Sequence, residues 1–504
     1  MELRLLASRG AFEKVRELPV VIQHTRNCAT FRRLESVYYD TPEQLLFRHG
    51  MSLRVRRNGR HFVQTIKLPP ADGWPLGRRQ QDVPVAGIAP DLAKLPVDEI
   101  GHPITARIKN TLVPVFTTKV RRHVQRLDFP DASAEIVFDE GTVETGARQD
   151  ALFEIKLKLK SGNAGVLLDL GAQLLGAVPL QLSACSTAER GYLLAFDLER
   201  SATKAKLPDI AADQVIDNVI ALLMGSCWHH LLKNREVAQE KTDPEGVHQM
   251  RIALRRLRTI CTIFQHDIPS PLFQAVSAEA KWVMQQLGRA REWDVFAETA
   301  TRLAIATPDI DLSGLREAVD RQRQSNYGAV QATLADPRCG RFLFTLGHMI
   351  ERRSWRDEID GEALVVLSQP MVSLADKILA RLHRKALKHG LHFNRLDAAM
   401  QHGLRIDVKK LRYAAEFLSP LYAARAPVKR YVKRLAGLQV ALGGVCDIAS
   451  SRILIDVIRR NDQPALDFAA GVVAGWQARD QLVVEKMLRK RWRRFKAAKT
   501  FWNR

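Results

Sequence analysis

The sequence predicts an α+β protein in which an antiparallel sheet domain is followed by an all-helical domain. Within the first 162 residues, short runs such as "MSLRVRR" and "FEIKLKLKSG" alternate polar and apolar residues between turn residues, which is typical of half-buried strands. A helical hairpin is predicted next, from Ala164 to Leu175 and from Ser186 to Leu198. From Ala211 onward the apolar residues recur with the helical period. The pattern changes near residue 205. The predicted domains are therefore 1–200 and 209–500, joined by the polar segment "ERSATKAKLPD".

Charge is the strongest compositional signal. The 504 residues carry a formal net charge of +22. Residues 1–200 hold 28 Lys and Arg against 23 Asp and Glu, whereas residues 201–504 hold 49 against 32. Because most of the excess lies in the helical part, that part is predicted to bind a polyanion: nucleic acid, polyphosphate or an anionic membrane surface.

The cysteines and the N-terminus bear on the cellular compartment. The six cysteines are scattered without a C-x-x-C pair, which argues against a zinc site or a disulfide framework. "MELRLLASRG" has no apolar signal-peptide core, and no uncharged apolar run approaches the ~20 residues of a membrane span. These features predict a cytoplasmic protein without a membrane span.

The helical half contains an internal repeat. "HQMRIALRRLR" begins at His248, and "HGLRIDVKKLR" begins 154 residues later at His402. "LGRARE" (287–292) and "LGGVCD" (442–447) lie 155 residues apart in the same order. A shared order at nearly one offset predicts two homologous helical bundles.

Each copy predicts an amphipathic helix with one cationic face, and Asp243 ahead of Pro244 predicts the N-cap of the first. An α-helix turns ~100° per residue, so three cations of each copy share a face with the histidine: Arg251, Arg255 and Arg258 in the first copy, and Arg405, Lys409 and Arg412 in the second. The opposite faces are apolar: Met250, Ala253, Leu254, Leu257 and Ile260, and then Leu404, Val408, Leu411, Ala414 and Ala415.

A solvated face explains either helix taken alone. Two matched stripes without an acidic residue instead predict a shared groove, because like charges on one face repel and arginine forks match phosphate oxygens. A histidine in such a groove becomes a further donor when bound phosphate favours its protonated form.

The two repeats resemble the two halves of a CHAD domain, the conserved histidine α-helical domain. The resemblance covers about residues 209–495 and rests on "VHQMRIALRRLR" with "LGRARE" and on "HGLRIDVKKLRYAAEFL" with "LQVALGGVCD". It implies two pseudo-symmetric four-helix bundles around a basic cavity that binds inorganic polyphosphate. The implied binding residues are His248, Arg251, Arg255, Arg256, Arg258, His402, Arg405, Lys409, Lys410 and Arg412.

The C-terminal run "KMLRKRWRRFKAAKTFWNR" is basic, with Trp492, Phe495, Phe501 and Trp502 interleaved. One interpretation is a surface that binds nucleic acid or a membrane. The other, which base rates favour, is a last bundle helix whose aromatic residues pack inward.

The N-terminal half resembles a CYTH domain, the triphosphate tunnel fold. The matching stretches, in order, are "ELRLLA" (2–7), "SVYYDTP" (36–42), "MSLRVRRNG" (51–59), "QTIK" (64–67), "RRQQDVPV" (78–85), "VFDEG" (137–141), "FEIKLKLKSG" (153–162) and "TAERGY" (187–192). The resemblance implies an antiparallel β-barrel tunnel with cations for a triphosphate chain and carboxylates for Mg²⁺ or Mn²⁺. The implied triphosphate-binding residues are Arg4, Arg54, Arg56, Lys67, Arg78, Arg121, Lys156 and Lys158, and the implied metal ligands are Glu2, Asp139 and Glu154.

The sequence departs from the family pattern at its carboxylates. Only Glu2 and Arg4 match the usual opening E-x-E-x-K, Gln80 stands for a glutamate, Thr187 stands for a lysine, and the late E-x-E-x-E segment reads Glu154, Lys156, Lys158. Mg²⁺ prefers carboxylate oxygens, and triphosphate hydrolysis needs a metal to neutralise developing charge.

These departures predict an inorganic polyphosphate-binding protein whose tunnel has weak or absent hydrolase activity. The alternative is an active metal-dependent triphosphatase that hydrolyses tripolyphosphate to diphosphate and phosphate. A nucleic-acid-binding protein is the third hypothesis. The sequence shows no ladder of stacking aromatics to favour it.

Overall fold

A computed structural model of the chain describes residues 1–26, 29–69, 79–109, 111–146, 148–241, 243–422, 425–461 and 466–502. The chain divides into two compact units. The first comprises residues 1–204, 228–246 and 334–354, and the second comprises residues 205–227, 247–333 and 355–504. Two segments of the helical half therefore belong to the first unit.

The first unit is built on one nine-stranded sheet. Its strands are β1 (Glu2–Ala7), β2 (Thr30–Asp40), β3 (Ser52–Asn58), β4 (His61–Leu68), β5 (Arg79–Val85), β6 (Val113–Phe129), β7 (Ala132–Thr145), β8 (Arg148–Gly162) and β9 (Leu180–Ser183). They are ordered β5-β4-β3-β2-β6-β7-β8-β1-β9, and every neighbouring pair is antiparallel. The predicted antiparallel domain is confirmed. Within the described residues the outer strands β5 and β9 do not pair, so the sheet is tunnel-like without being a closed barrel.

Strand alternation sorts the side chains of this sheet onto two faces. On β3, Leu53 and Val55 are buried in an apolar cluster with Ile66 of β4. Arg54 and Arg56 point to the other face, where they line a cavity. The alternating sequence therefore builds a core on one side of the strand and a cationic wall on the other.

Seven helices accompany the sheet up to residue 200 in the described residues: α1 (Arg9–Arg16), α2 (Pro19–His24), α3 (Leu45–Arg48), α4 (Val97–Ile100), α5 (His102–Ile108), α6 (Gly165–Ala177) and α7 (Thr187–Phe196). The helices predicted at 164–175 and 186–198 are confirmed by α6 and α7. Strand β9 between them was not predicted. Nor were α1 to α5, which are too short for a helical period to show.

Eleven helices follow in the described part of the chain: α8 (Ile216–Glu240), α9 (Pro244–Phe264), α10 (Pro271–Gln286), α11 (Gly288–Ala306), α12 (Ser313–Ala335), α13 (Pro337–Arg352), α14 (Gly361–Ser368), α15 (Val372–His389), α16 (Ala398–Leu418), α17 (Arg425–Asn461) and α18 (Asp467–Lys496). The predicted all-helical half is confirmed.

The internal repeat of the sequence is also a repeat of the structure. Helices α9 and α16 each have 21 residues and begin 154 residues apart, and α10 and α17 as well as α12 and α18 begin at the same offset. The copies differ at one point. The first breaks between α10 and α11 at Leu287, whereas α17 is continuous for 37 residues.

The last two helices of each copy share a core in the second unit. Trp293 and Phe296 of α11 are buried in one cluster with Ile455 and Ile458 of α17 and Val473 of α18. This core joins the two copies through apolar burial, the dominant favourable contribution to folding.

None of the described helices combines the length and the apolarity that crossing a membrane requires. The cysteines in the described residues, Cys185, Cys227, Cys261, Cys339 and Cys446, are all free.

Candidate functional site

The two ladder helices, α9 and α16, have the amphipathic form that the sequence predicts. The predicted apolar residues are all buried: Met250, Ala253, Leu254, Leu257 and Ile260 on α9, and Leu404, Val408, Leu411, Ala414 and Ala415 on α16. The predicted N-cap is confirmed, since the Asp243 carboxylate accepts the backbone N–H of Glu245 at 2.8 Å. Burial of the apolar faces leaves the cationic faces as the free sides of both helices.

The two cationic faces lie near each other, and the region that their side chains share is hereafter called the ladder groove. Burial lowers the pKa of Arg255 on α9, and the nearby charges of Arg405 and Arg412 on α16 lower it further. Lys409 of α16 is in turn within range of Arg251 and Arg255. Each of these side chains is half-buried. Like charges thus converge from both copies.

The central cations of the ladder groove lack ion-pair partners among the described residues. No salt bridge is formed in the described residues by Arg251, Arg255, Arg405 or Lys409. The nearest acidic influences are weaker, since Glu292 affects the pKa of Arg251, and Arg405 and Lys409 affect that of Asp447, without ion-pair contact. The Nε atoms of Arg251 and Arg405 are buried without a hydrogen-bond partner in the described structure. Half-buried cations of one sign need an external anion for full compensation.

The glycine of each L-G motif lies beneath the first arginine of a ladder. A Cβ at Gly288 would lie 3.1 Å from Nη1 of Arg251, and a Cβ at Gly443 would lie 3.5 Å from Nη2 of Arg405. A side chain at Gly288 would therefore crowd Arg251, whereas one at Gly443 would make only an ordinary van der Waals contact with Arg405. The two glycines lie at equivalent places beside the ladders.

The remaining residues of the predicted set have more varied surroundings. Arg258 donates through Nε to Oγ of Ser277 at 3.4 Å. Burial, together with Lys385, lowers the pKa of Lys410. His248 is half-buried, whereas His402 is exposed and its Nδ1 lies 4.0 Å from Sγ of Cys446.

Glu416 is a residue of the ladder groove that the sequence interpretation missed. Its Oε2 lies 3.5 Å from Nη2 of Arg256, and its Oε1 lies 3.3 Å from Nη1 of Arg412. The expectation that no acidic residue lies on either stripe is wrong, because Glu416 extends the second stripe one turn beyond Arg412. Helical spacing from His402 was the available signal.

If a phosphate chain binds at the ladder groove, Lys409 is expected to make that binding dependent on pH. Burial, reinforced by Arg255 and Arg405, lowers the pKa of Lys409 to about 7. A bound phosphate chain favours the ammonium form and raises this pKa, so binding takes up a proton and the affinity falls as pH rises above about 7. Calorimetry in buffers of different ionisation enthalpy measures the uptake, which we expect to be smaller in Lys409→Arg, where only the groove histidines still gain protons. Proton uptake equal to that of the parent would contradict the assignment to Lys409.

The concave face of the sheet in the first unit encloses a cavity of about 620 Å³, hereafter the tunnel. Strands β1 to β8 all contribute to its walls. The cationic lining residues are Arg4, Arg32, Arg54, Arg56, Lys67, Arg122, Arg126, Lys156, Lys158 and Lys160, against three acidic ones, Glu2, Asp82 and Glu135. The tunnel is therefore strongly cationic.

Six of the eight residues predicted to bind triphosphate line the tunnel: Arg4, Arg54, Arg56, Lys67, Lys156 and Lys158. Arg78 lies outside the described residues. Arg121 does not reach the tunnel, because it points to the outer face of β6 and forms an ion pair with Glu140 at 3.0 Å. Its neighbour Arg122 points inward in its place.

The predicted metal ligands are already bound by cations of the chain. Both Asp139 oxygens accept hydrogen bonds from Arg122, at 2.6 and 2.7 Å, and Nζ of Lys156 also donates to Asp139 at 2.7 Å. The same ammonium forms an ion pair with Glu154. Glu154 also accepts from Oγ1 of Thr187 at 3.0 Å.

Glu2, the third predicted ligand, is paired in the same way. Its carboxylate lies 3.2 Å from Nε of Arg4 and 3.9 Å from Nζ of Lys158. Among the described residues no group of three acidic, histidine or cysteine side chains could hold a metal ion. The predicted ligand set is therefore not brought together as a metal site.

The Lys156 ammonium occupies the place between two carboxylates that a divalent cation would need. Burial alone raises the pKa of Asp139, but Lys156 and Arg122 outweigh it and hold this pKa well below its usual range. The residues present do not fit Mg²⁺ or Mn²⁺, whose octahedral shell needs free carboxylate oxygens.

The chain thus combines a tunnel-like antiparallel sheet with a repeated helical half whose two cationic ladders face each other. Residues 1–192 match the family profile of the CYTH domain, and residues 223–456 match that of the CHAD domain. The chain therefore carries a CYTH domain followed by a CHAD domain, as its motifs predict.

Two known proteins illustrate the likeness. The inorganic triphosphatase of Haemophilus influenzae is 29% identical over 171 residues, which cover 32% of this chain and 46% of that protein. The match thus spans less than half of that relative. The crystal structure of the CHAD domain from the plant Ricinus communis is 28% identical, with a TM-score of 0.50, over 60% of this chain and 98% of that one.

Proposed function

We propose that this protein binds inorganic polyphosphate in the ladder groove and phosphate chains in a tunnel whose triphosphatase activity is weak or absent. The single observation that carries the first part is the convergence of half-buried cations, among them Arg255, Arg405 and Lys409, without carboxylate partners in the described structure. A flexible polyanion would compensate these charges along the whole groove.

Membership of the CHAD and CYTH families supports a phosphate-chain ligand over other polyanions. A relative that this chain matches over 171 residues is named inorganic triphosphatase. The tunnel retains the cations that such a ligand needs, since Arg54, Arg56 and Lys156 all line it.

The observation against hydrolysis is the pairing of Asp139 and Glu154 with Lys156. Turnover at this site would require a divalent cation to displace an ammonium group that is tethered to the chain. We expect tripolyphosphate hydrolysis in Mg²⁺ or Mn²⁺ to stay at the level of an Arg54→Ala, Arg56→Ala variant in a malachite-green assay of released phosphate. Metal-dependent turnover clearly above that variant would instead support the active triphosphatase.

Nucleic acid binding is the weaker alternative because the C-terminal aromatic residues are not available for stacking. Trp492 and Phe495 of α18 are buried, and Trp502 packs on Tyr431 with ring centroids 5.0 Å apart. The run therefore packs as a bundle helix up to Lys496, where α18 ends, and beyond it Trp502 is buried while Phe501 is half-buried. Competition at fixed salt between long polyphosphate and duplex DNA tests the remaining electrostatic route. We expect polyphosphate to displace the DNA and DNA not to displace polyphosphate.

A further inference from the structure

Glu416 places a negative charge at one end of an otherwise cationic groove. It lies 14 residues after His402, so it points ~40° from the direction of that histidine, inside the arc spanned by Lys409 and Arg412. Its two oxygens contact one arginine from each copy, Arg256 and Arg412. The carboxylate thus bridges the two ladders.

Glu416 contacts two guanidinium groups whose surroundings are otherwise like those of Arg251 and Arg405 at the centre of the ladder groove. The Nε atoms of Arg256 and Arg412 are buried without a hydrogen-bond partner in the described structure. The two carboxylate oxygens of Glu416 are held between two forks, as two oxygens of a phosphate group would be. The side chain of Glu416 is only 17% exposed.

Aromatic rings fix this end of the groove. The Arg412 guanidinium lies 5.0 Å from the ring centroid of Tyr413, and that of Arg256 lies 5.7 Å from the same ring and 5.8 Å from that of Phe417. Cation–π contacts at these distances hold both arginines in place beside the carboxylate. The site around Glu416 is therefore built before any ligand arrives.

The pseudo-symmetric position in the first copy has no carboxylate. Thr262 lies 154 residues before Glu416, is exposed, and donates its hydroxyl hydrogen bond to the backbone oxygen of Arg258 at 2.8 Å. The bridge therefore marks one end of the groove only.

We infer that Glu416 is a specificity-determining residue, a tethered anion that occupies the terminal phosphate subsite between Arg256 and Arg412. This inference rests on the proposed binding of polyphosphate by the groove. From Arg405 to Glu416 the helix rises ~16 Å. A short chain binds the central cations without reaching Glu416, whereas a longer chain must displace its carboxylate or end before it.

The test compares tripolyphosphate with a long polyphosphate of defined length, using the full chain with Arg54→Ala and Arg56→Ala to remove tunnel binding. In this background Glu416→Gln should bind the long chain about tenfold more tightly, because one charge-assisted contact is added. The affinity for tripolyphosphate should change less than about twofold. Glu362→Gln, at an exposed position of α14, removes the same charge and should change neither affinity.

Adding Arg256→Gln to Glu416→Gln should abolish the gain, because Arg256 is the partner that Glu416 releases. An equal gain for both ligands, no gain, or weaker binding of the long chain would overturn the inference while leaving polyphosphate binding itself intact. If neither the Glu416→Gln variant nor the parent binds polyphosphate or tripolyphosphate, the proposed function fails as well. Should Glu416→Gln not fold, Glu416→Asp carries the test, since its shorter side chain cannot reach both arginines.

Discussion

Replacing Arg255 and Arg405 by glutamine is expected to weaken polyphosphate binding at the ladder groove at least about a hundredfold. A charge-assisted hydrogen bond contributes roughly 1.5–3 kcal/mol, so losing two corresponds to roughly 3–6 kcal/mol. The two side chains come from different copies and face each other. Neither forms a salt bridge in the described structure, so the substitutions break no ion pair of the protein itself.

Fluorescence anisotropy with labelled polyphosphate at fixed salt measures this loss, again with the tunnel arginines replaced. The matched control is Arg384→Gln with Lys388→Gln on α15, which removes the same charge from two exposed positions. We expect the control to lose less than about threefold, because exposed charges are screened by salt. Equal losses in both proteins would mean that binding follows net charge and that the groove has no special role.

Replacing Lys156 by glutamate is expected to create a divalent metal site in the tunnel. The substitution removes the ammonium from between Asp139 and Glu154 and adds a third carboxylate. Without metal, three close carboxylates repel each other, so the variant should unfold at lower temperature in EDTA than the parent. Mn²⁺ should raise the unfolding temperature of the variant again, because a cation that binds only the folded state stabilises that state.

The measurement is thermal unfolding with and without Mn²⁺, together with direct titration of Mn²⁺ binding. Lys160→Glu is the matched control, since Lys160 also lines the tunnel but pairs with Glu135 at 2.9 Å. We expect no Mn²⁺-dependent stabilisation in this control or in the parent. Stabilisation of the parent by Mn²⁺ would show that Lys156 does not exclude the metal.

The sequence predicts the helical site well because its signal is periodic. Helical spacing alone places Arg251, Arg255, Arg405 and Lys409 on two faces, and the repeat indicates that those faces belong together. It predicts neither the break at Leu287 nor the continuity of α17, since both depend on how helices of different copies pack. The same helical spacing also places Glu416 on the cationic face of α16, but this residue lies one turn past the repeated motif and was not considered.

The tunnel was harder to predict because strand register decides which side chains meet. Arg121 and Arg122 are adjacent, so one of them must point outward, and only the pairing of β6 with β7 shows which. The contact of Lys156 with Asp139 likewise depends on the β7–β8 register, in which Val137 faces Lys156 and Asp139 faces Glu154. The departures from the family pattern predict a loss of metal ligands here, but the salt bridges found in their place require three-dimensional coordinates.

The uncompensated cations of the ladder groove imply a compromise between folding and recognition. In the ligand-free protein, Arg251, Arg255, Arg405 and Lys409 repel one another inside a half-buried space, which costs conformational stability. Neutral side chains there would remove this repulsion and stabilise the bundle at the expense of the proposed binding. On the proposed function, a bound phosphate chain would offset the repulsion, so we expect its occupancy to raise the resistance of the protein to unfolding.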